Sequence, residues 1–385
     1  MKIISRAFRL LIKTFLGILT LVLFGCSLFY LNTTIYNFPD KEVFKGDYLF
    51  NPYDNLPDSS YRANFHAHSI AWEKVTNGHN TEKDIFDGYH ERGYDVIGIS
   101  NYHKISNYAK TRSDLYVPTY EHGYNIFKSH YLAINSTKVS SFDYPLYQLA
   151  SHKQKIIHNI QENGAFIAMA HPKFAGGRSF SDMENLVGYH FTEVLNHYRI
   201  SDLYWDKALS AGRLTWVMGN DDTHDLVNEA TFRIWNVIHS EVRNSDSIVQ
   251  SMANGQSYAI WSLNQACDNL LSECQLDNQT IHIKLNNIAD SILIIGQGGK
   301  VLQKSFKTDS VSYQVKKEDS YVRTVAYNTN SHIYLNPIVR YDGENVPLSA
   351  NVKVESNFLL TWTFRICMLI LSILLLLFTR KIIRF

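Results

Sequence analysis

Two short motifs pair donor side chains at a spacing that suits a metal ion. His66 and His68 stand two residues apart. In an extended segment, side chains at i and i+2 share a face, so both imidazoles can reach one cation. Asp222 and His224 repeat that spacing. Glu121, His130 and His171 add nitrogen and oxygen donors of the kind that suit Zn²⁺, Mn²⁺ or Fe. The chain is rich in histidine, with 16 in 385 residues, and imidazole is the commonest metal ligand. Alone, each motif is weak: an H-x-H pair is common in structural settings, and His171-Pro172 is an ordinary turn. Their placement is what joins them.

The donors fall where predicted strands end. Tyr94 to Ser100 (YDVIGIS) is a short apolar run of buried-strand type, followed by Asn101 and His103. Ala165 to Ala170 (AFIAMA) leads into His171, and Thr215 to Gly219 (TWVMG) leads into Asp221, Asp222 and His224. Thr192 to Leu195 reads as one more strand. Between them come helix signals. Thr81 is a cap with Asp84 three residues on, in a helix that runs to Gly93. Further helices are expected over 151–163, 182–189 and 202–211. This alternation across residues 60–265 implies a parallel sheet, open or closed into a barrel. In closed α/β barrels, ligands bind at the carboxyl ends of the strands. Residues 278–350 change character. Ile281, Ile283 and Leu285 alternate with polar residues, and short β-like runs follow at 291–296, 300–306, 311–315, 321–327 and 332–339. Gly298-Gly299 and Asn328-Thr329-Asn330 supply turns. That pattern predicts a small all-β sandwich.

Taken in order, these stretches resemble the PHP (polymerase and histidinol phosphatase) superfamily. The matching segments are Asn64-Phe-His-Ala-His-Ser69, Gly93-Tyr-Asp-Val-Ile-Gly-Ile-Ser100, Tyr120-Glu-His-Gly123, Ser129-His130, Ala170-His-Pro172, Glu193-Val-Leu-Asn196 and Asp221-Asp-Thr-His224. The resemblance covers about residues 60–265. It implies a distorted (β/α)7 barrel, classed α/β, with the C-terminal β region attached. It also implies up to three divalent metals. His66, His68, Glu121 and Asp222 would hold one, Glu121 would bridge to a second held by His130 and His171, and His224 would serve a third. Glu121, Asp222 and His171 are then the catalytic candidates. The implied reaction is hydrolysis of a phosphomonoester or phosphodiester by a metal-activated water. Two other readings stand beside it: a metal-dependent hydrolase of a carbon-centred ester or amide, and a non-catalytic ligand-binding protein. The sequence departs from the family at the third metal. The usual Asp-Gly appears as Asn77-Gly78, followed by His79, and the usual Asp-His appears as Asn101-Tyr102-His103. Either His79 and His103 substitute with a one-residue shift, or the third site is degraded. Lys173, Arg178 and Arg199, just beyond predicted strands, are candidates for phosphate oxygens or for solvated surface charge.

The ends of the chain carry a different signal. Thr14 to Leu31 contains no charge, and its length as a helix is roughly 27 Å, close to a bilayer core. Lys2, Arg6, Arg9 and Lys13 precede it without an acid among them. Phe358 to Thr379 is a second apolar stretch, interrupted by Arg365 and followed by Arg380, Lys381 and Arg384. Arg365 is expected to snorkel to the interface beside Trp362. By the positive-inside rule both termini face the cytoplasm and the middle of the chain faces out. A cleaved signal peptide competes for the first stretch, and an interfacial helix for the second. The expected division is 1–35 basic start and membrane helix, 60–265 metal-dependent unit, 278–350 β region, 358–379 second membrane helix and 380–385 basic tail. A net charge of +1 gives no basic footprint for nucleic acid. Expected partners are the membrane and a phosphorylated small molecule, a lipid head group or an envelope glycan, with no order among these three. Cys267 and Cys274 are seven residues apart, compatible with a disulfide or with two free thiols.

Overall fold

The structure, a computed structural model, describes residues 2–384. The side chains of residues 2–7 and of Arg384 lie outside the described set, so the flanking Lys2, Arg6 and Arg384 are known from sequence alone. The helices are α1 (Lys2–Tyr30), α2 (Glu82–His90), α3 (Ala150–Gln161), α4 (Phe180–Asn185), α5 (Asp202–Ser210), α6 (Ser245–Ala253) and α7 (Phe358–Arg384). The capping signals explain where they start. The Thr81 hydroxyl accepts from Asp84 N while the Asp84 carboxylate accepts from Thr81 N, which fixes the first turn of α2. A second box, Ser179 with Asp182, opens α4 at Phe180 rather than at the expected Asp182.

From Ser60 onward the strands of the two large sheets are β1 (Ser60–Asn64), β2 (Val96–Ile97), β3 (Thr119–His122), β4 (Tyr131–Ile134), β5 (Phe166–Met169), β6 (Phe191–Asn196), β7 (Trp216–Asn220), β8 (Ile234–His239), β9 (Ser257–Ser262), β10 (Leu271–Asp277), β11 (Thr280–Gly296), β12 (Lys300–Gln314), β13 (Tyr321–Asn328), β14 (Ser331–Leu335) and β15 (Ile338–Tyr341). One sheet of five strands runs β3-β4-β5-β6-β7. Its β5/β6 and β6/β7 pairs are parallel, as the alternation predicts, but β3/β4 and β4/β5 are antiparallel. A second sheet of eleven strands runs β10-β11-β13-β14-β9-β8-β1-β2, with β12 on β11, β15 on β13 and the strand Tyr48–Phe50 on β15.

Among the described residues, the strands of 60–265 therefore divide between two sheets instead of forming one continuous barrel ladder. Asparagine side chains stitch the seam. Asn236 on β8 accepts from Gly219 N (2.9 Å) and donates to Gly219 O (2.7 Å) on β7. Asn220 Oδ1 accepts from Phe65 N (2.8 Å), and Asn64 Oδ1 accepts from Asp221 N (3.0 Å). A Cβ at Gly219 would stand 2.9 Å from the Ile234 side chain, so only glycine lets β7 approach β8 this closely. Isolated bridges Ala67/Thr223 and Tyr102/Glu121 tie the loops at the same end.

The C-terminal strands continue the larger sheet through the β14/β9 pair. Two pairs of expected runs fuse there: β11 and β12 are single strands of 17 and 15 residues. The stretch Asn286-Asn287-Ile288 forms a bulge, a register break between Lys284 and Ala289. Asn286 N donates to Leu270 O and Asn287 N to Asn269 Oδ1, so the bulge is satisfied and Ile281, Ile283, Leu285, Ala289 and Ile292 stay buried. Arg323 on β13 forms a bidentate pair with Asp206 of α5 (2.8 and 2.7 Å), buried between the two regions.

Segments Phe8–Tyr30 and Phe358–Ile383 are long and apolar enough to cross a membrane. They pack together through Ser27–Ser372 (2.7 Å) and Thr379–Thr20 (2.8 Å) hydrogen bonds. Arg365 donates to Thr33 O (2.7 Å) with its guanidinium over Trp362. All four cysteines are free, so Cys267 and Cys274 form no disulfide.

Candidate metal centre

Both sheets deliver side chains to one point. His66 and His68 follow β1, Glu121 lies on β3, His130 precedes β4, His171 follows β5, and Asp222 and His224 follow β7. His66, His68, Glu121, His130, His171 and Asp222 are each no more than 5% exposed. The two Glu121 oxygens face different groups. Oε2 lies 3.5 Å from His66 Nε2 and 3.2 Å from His68 Nε2. Oε1 lies 2.6 Å from His130 Nδ1 and 3.2 Å from His171 Nε2. Asp222 Oδ1 closes the first group, 3.2 Å from His66 Nε2 and 3.4 Å from His68 Nε2. His224 Nδ1 is 3.7 Å from the same oxygen. Donor atoms within 4.8 Å of one another form the sets His66/His68/Glu121, His66/His171/Asp222, Glu121/His130/His171 and His68/Asp222/His224.

Several side-chain atoms of these residues have no hydrogen-bond partner. His66 Nε2, His68 Nε2, Glu121 Oε2, His130 Nδ1, Asp222 Oδ1 and His224 Nε2 are all buried and unpaired. Such groups are costly to bury unless something satisfies them. Lone pairs of imidazole and carboxylate converging on common centres are what divalent cations satisfy, so the residues present fit metal ions. The electrostatics agree. Burial opposes the charge on Glu121, yet His130 and His66 beside it hold its carboxyl well below the ordinary range. Burial likewise opposes the charge on Asp222, and His66 and His68 keep it low. Burial pulls His66 down, but the Asp222, Glu193 and Glu121 carboxylates outweigh it and raise it well above the usual imidazole value. His224 is pushed down to about 4, chiefly by burial.

Glu193 carries a role that the sequence alone did not assign. Its Oε1 accepts from His66 Nδ1 (2.9 Å) and Asn220 Nδ2 (2.9 Å), and its Oε2 accepts from His171 N (2.8 Å) and Asn196 Nδ2 (3.0 Å). That contact fixes the His66 tautomer and turns Nε2 toward the cluster. An acidic residue inside β6, buried along its whole length, was the available signal. The Tyr102 ring stacks on His68 with centroids 4.6 Å apart. Backbone φ is positive at His171 (29°) and Asp222 (51°), both at strand ends where the donors turn inward.

His79 and His103 do not join the cluster. The His79 side chain is 66% exposed and pairs with Asp225 (3.1 Å). His103 Nδ1 contacts Ser140 O (3.3 Å) and its Nε2 accepts from Gly123 N (3.0 Å), beside His122 and Asp143. Asn101 is occupied with Ser69. The third set thus contains only His68, Asp222 and His224. Arg178 is buried, donating to Tyr131 OH (2.9 Å) and His130 O (3.0 Å), so it braces the segment that carries His130 and does not present its charge to a ligand. Lys173 and Arg199 are exposed. Beside the cluster a cleft of about 390 Å³ is lined by His79, His197, Tyr198, Asp222, His224 and Asp225, among others.

No protein-family model matches the chain, and no curated protein matches it. Among solved structures it is similar to a two-domain protein from Bacteroides vulgatus containing a predicted PHP-like metal-dependent phosphoesterase. The identity is 12%, over 83% of this chain and 99% of that one, with a TM-score of 0.43. It is also similar to PsfC from Pseudomonas syringae, at 10% identity over 54% of this chain and 93% of that one, TM-score 0.38. The lesion-specific endonuclease PfuEndoQ from Pyrococcus furiosus matches at 14% identity over 51% of this chain, TM-score 0.35; the matched region spans about half, 56%, of that protein.

Proposed function

We propose that the chain is a membrane-anchored, metal-dependent phosphoesterase that hydrolyses a phosphomonoester or phosphodiester on the non-cytoplasmic side. The observation that carries this is the division of Glu121, with one oxygen toward His66 and His68 and the other toward His130 and His171. A carboxylate so placed suits two adjacent cations. Bound there, the cations would neutralise phosphoryl charge and make water nucleophilic near neutral pH. The protein's own part is orientation. Glu193 holds His66 and the His171 backbone, Arg178 braces the His130 carbonyl, and Tyr102 covers His68. His224 stays neutral near pH 7 and offers a lone pair toward the cleft instead of a charge that would compete with cations. Sidedness is supported by Arg9 and Lys13 on α1 and Arg380 and Lys381 on α7, which lie at the ends remote from the sheets.

The test is turnover by the purified full chain, stripped of metal and then resupplied, against soluble phosphomonoesters, phosphodiesters and carboxylic esters. Metal-dependent phosphate release supports the proposal. Turnover of carboxylic esters alone moves the site to carbon-centred hydrolysis.

A further inference from the structure

The segment between Glu121 and His130 does more than connect two metal donors. Its tip exposes large apolar side chains: Ile126 is 65% exposed and Phe127 50%. This display is built, not slack. Buried Asn125 accepts from Phe127 N (3.2 Å) and Ser129 N (3.1 Å) and donates to Ser129 O (3.2 Å), which closes the loop on itself and turns Ile126 and Phe127 outward. Lys128 beside them is exposed with φ +56°.

The same loop is bonded to the segment that docks α1. Tyr124 N donates to Asp143 Oδ2 (2.9 Å), the Tyr124 hydroxyl donates to Asp143 O (3.2 Å), and Ile126 N donates to Pro145 O (3.3 Å). Phe142 in turn meets Phe29, and Tyr144 and Tyr147 meet Tyr30, with ring centroids 6.1, 5.3 and 5.4 Å apart. Tyr30 donates to Tyr147 O and accepts from Leu146 N and Tyr147 N. Phe29 and Tyr30 are the last turn of the apolar segment Phe8–Tyr30. Tyr147 and Leu149, 45% and 43% exposed, continue the apolar surface. Aromatic and aliphatic side chains with a lysine, level with the end of a spanning helix, match what the interface of a bilayer accepts.

We propose that the loop Tyr124–Lys128 seats in the outer face of the membrane that holds α1 and α7, and that the substrate is a phosphoester carried on a lipid of that membrane. This rests on the phosphoesterase and topology readings above. Glu121 and His130 flank the loop, so seating its tip brings the metal cluster to head-group level. A lipid head group then reaches the cluster by lateral diffusion.

The experiment uses the full chain reconstituted in vesicles of phosphatidylcholine with phosphatidate or phosphatidylglycerol, and has two arms. In the first, Phe127→Trp is compared with wild type in vesicles containing brominated acyl chains; extra quenching of the added indole is expected, and none overturns the seating. In the second, Ile126→Ser with Phe127→Ser is assayed on the vesicle lipids and on para-nitrophenyl phosphate and its bis-ester. Lipid turnover should fall by about tenfold or more, with the soluble rates unchanged. Equal loss on both, or no lipid turnover by an enzyme active on the soluble esters, overturns the lipid substrate. Quenching in a protein inactive on every phosphoester overturns the phosphoesterase reading and the lipid substrate, while the seating stands.

Discussion

Glu121 can face two donor groups because its neighbours are held still, and Glu193 does much of the holding. It spends all four of its hydrogen bonds on His66, the His171 backbone, Asn196 and Asn220. Glu193→Gln removes the charge that favours the Nδ1–H tautomer of His66 while keeping the shape. Metal affinity or turnover should fall about 10- to 100-fold, the usual size for such an outer partner, with the melting temperature nearly unchanged; metal competition against a chelator measures it. A pH dependence follows from the same carboxylates. In the metal-free cluster, burial lowers His66 and His68, but Asp222, Glu121 and, for His66, Glu193 raise both above the ordinary imidazole value of about 6.5. A cation must displace those protons, so binding releases protons and affinity rises with pH. The rise should continue past pH of about 6.5 and flatten once the imidazoles are neutral; chelator competition at several pH values gives the slope, and a flat profile contradicts it. The convergence of His66, His68, Glu121, His130, His171 and Asp222 was legible because their residue types and the H-x-H and D-x-H spacings are chemically unusual. Glu193 had no such spacing, and its role depends on a strand-to-strand neighbour. In sequence, His79 and His103 stood either as one-residue-shifted substitutes or beside a degraded third site; local partners, Asp225 and the Gly123 and Ser140 backbone, claim them.

Among the elements of 60–265, α2, α3, α5 and strands β2, β5, β6 and β7 were readable from caps and apolar runs; α6, β1, β3, β4, β8, β9 and the assembly were not. The seam between β7 and β8 is made by the Asn236 amide, and a side chain replacing a ladder leaves no periodic trace. β11 and β12 were each expected as two separate runs; in β11, Asn269 and Leu270 satisfy the backbone of the bulge at 286–288, so the strand continues through it. Asp206 and Arg323 are a similar long-range feature, 117 residues apart in sequence and both almost wholly buried. Arg323→Met leaves the Asp206 charge buried and without its cation, and should cost about 3–5 kcal/mol. Adding Asp206→Leu should recover much of that loss, because a buried pair replaced by apolar groups is often near neutral. Denaturant unfolding of the full chain in detergent, followed by aromatic fluorescence, reads both; a single variant as stable as wild type would show that the pair does not couple α5 to the β region.

At the scale of the molecule, the two apolar helices form an antiparallel pair, and Tyr30 and Arg365 tie its end to the folded region. Basic residues at both remote ends were the sequence signal for orientation, and the docking of Tyr30 on Tyr144, Tyr147 and His152 was beyond reach of hydropathy. A reporter active only in the cytoplasm should be active after Phe385 and silent at Gly298, which lies in an exposed turn. The opposite pattern reverses the membrane orientation and puts the cleft on the cytoplasmic side. The chemistry itself is tested most directly by titrating Mn²⁺ or Zn²⁺ into the purified, chelator-stripped full chain while following phosphoester turnover. A bridging Glu121 predicts that activity rises to a break at about two metals per chain and that Glu121→Gln shows neither the break nor the activity. Turnover that needs no metal, or a wild-type chain that takes up none, would contradict it.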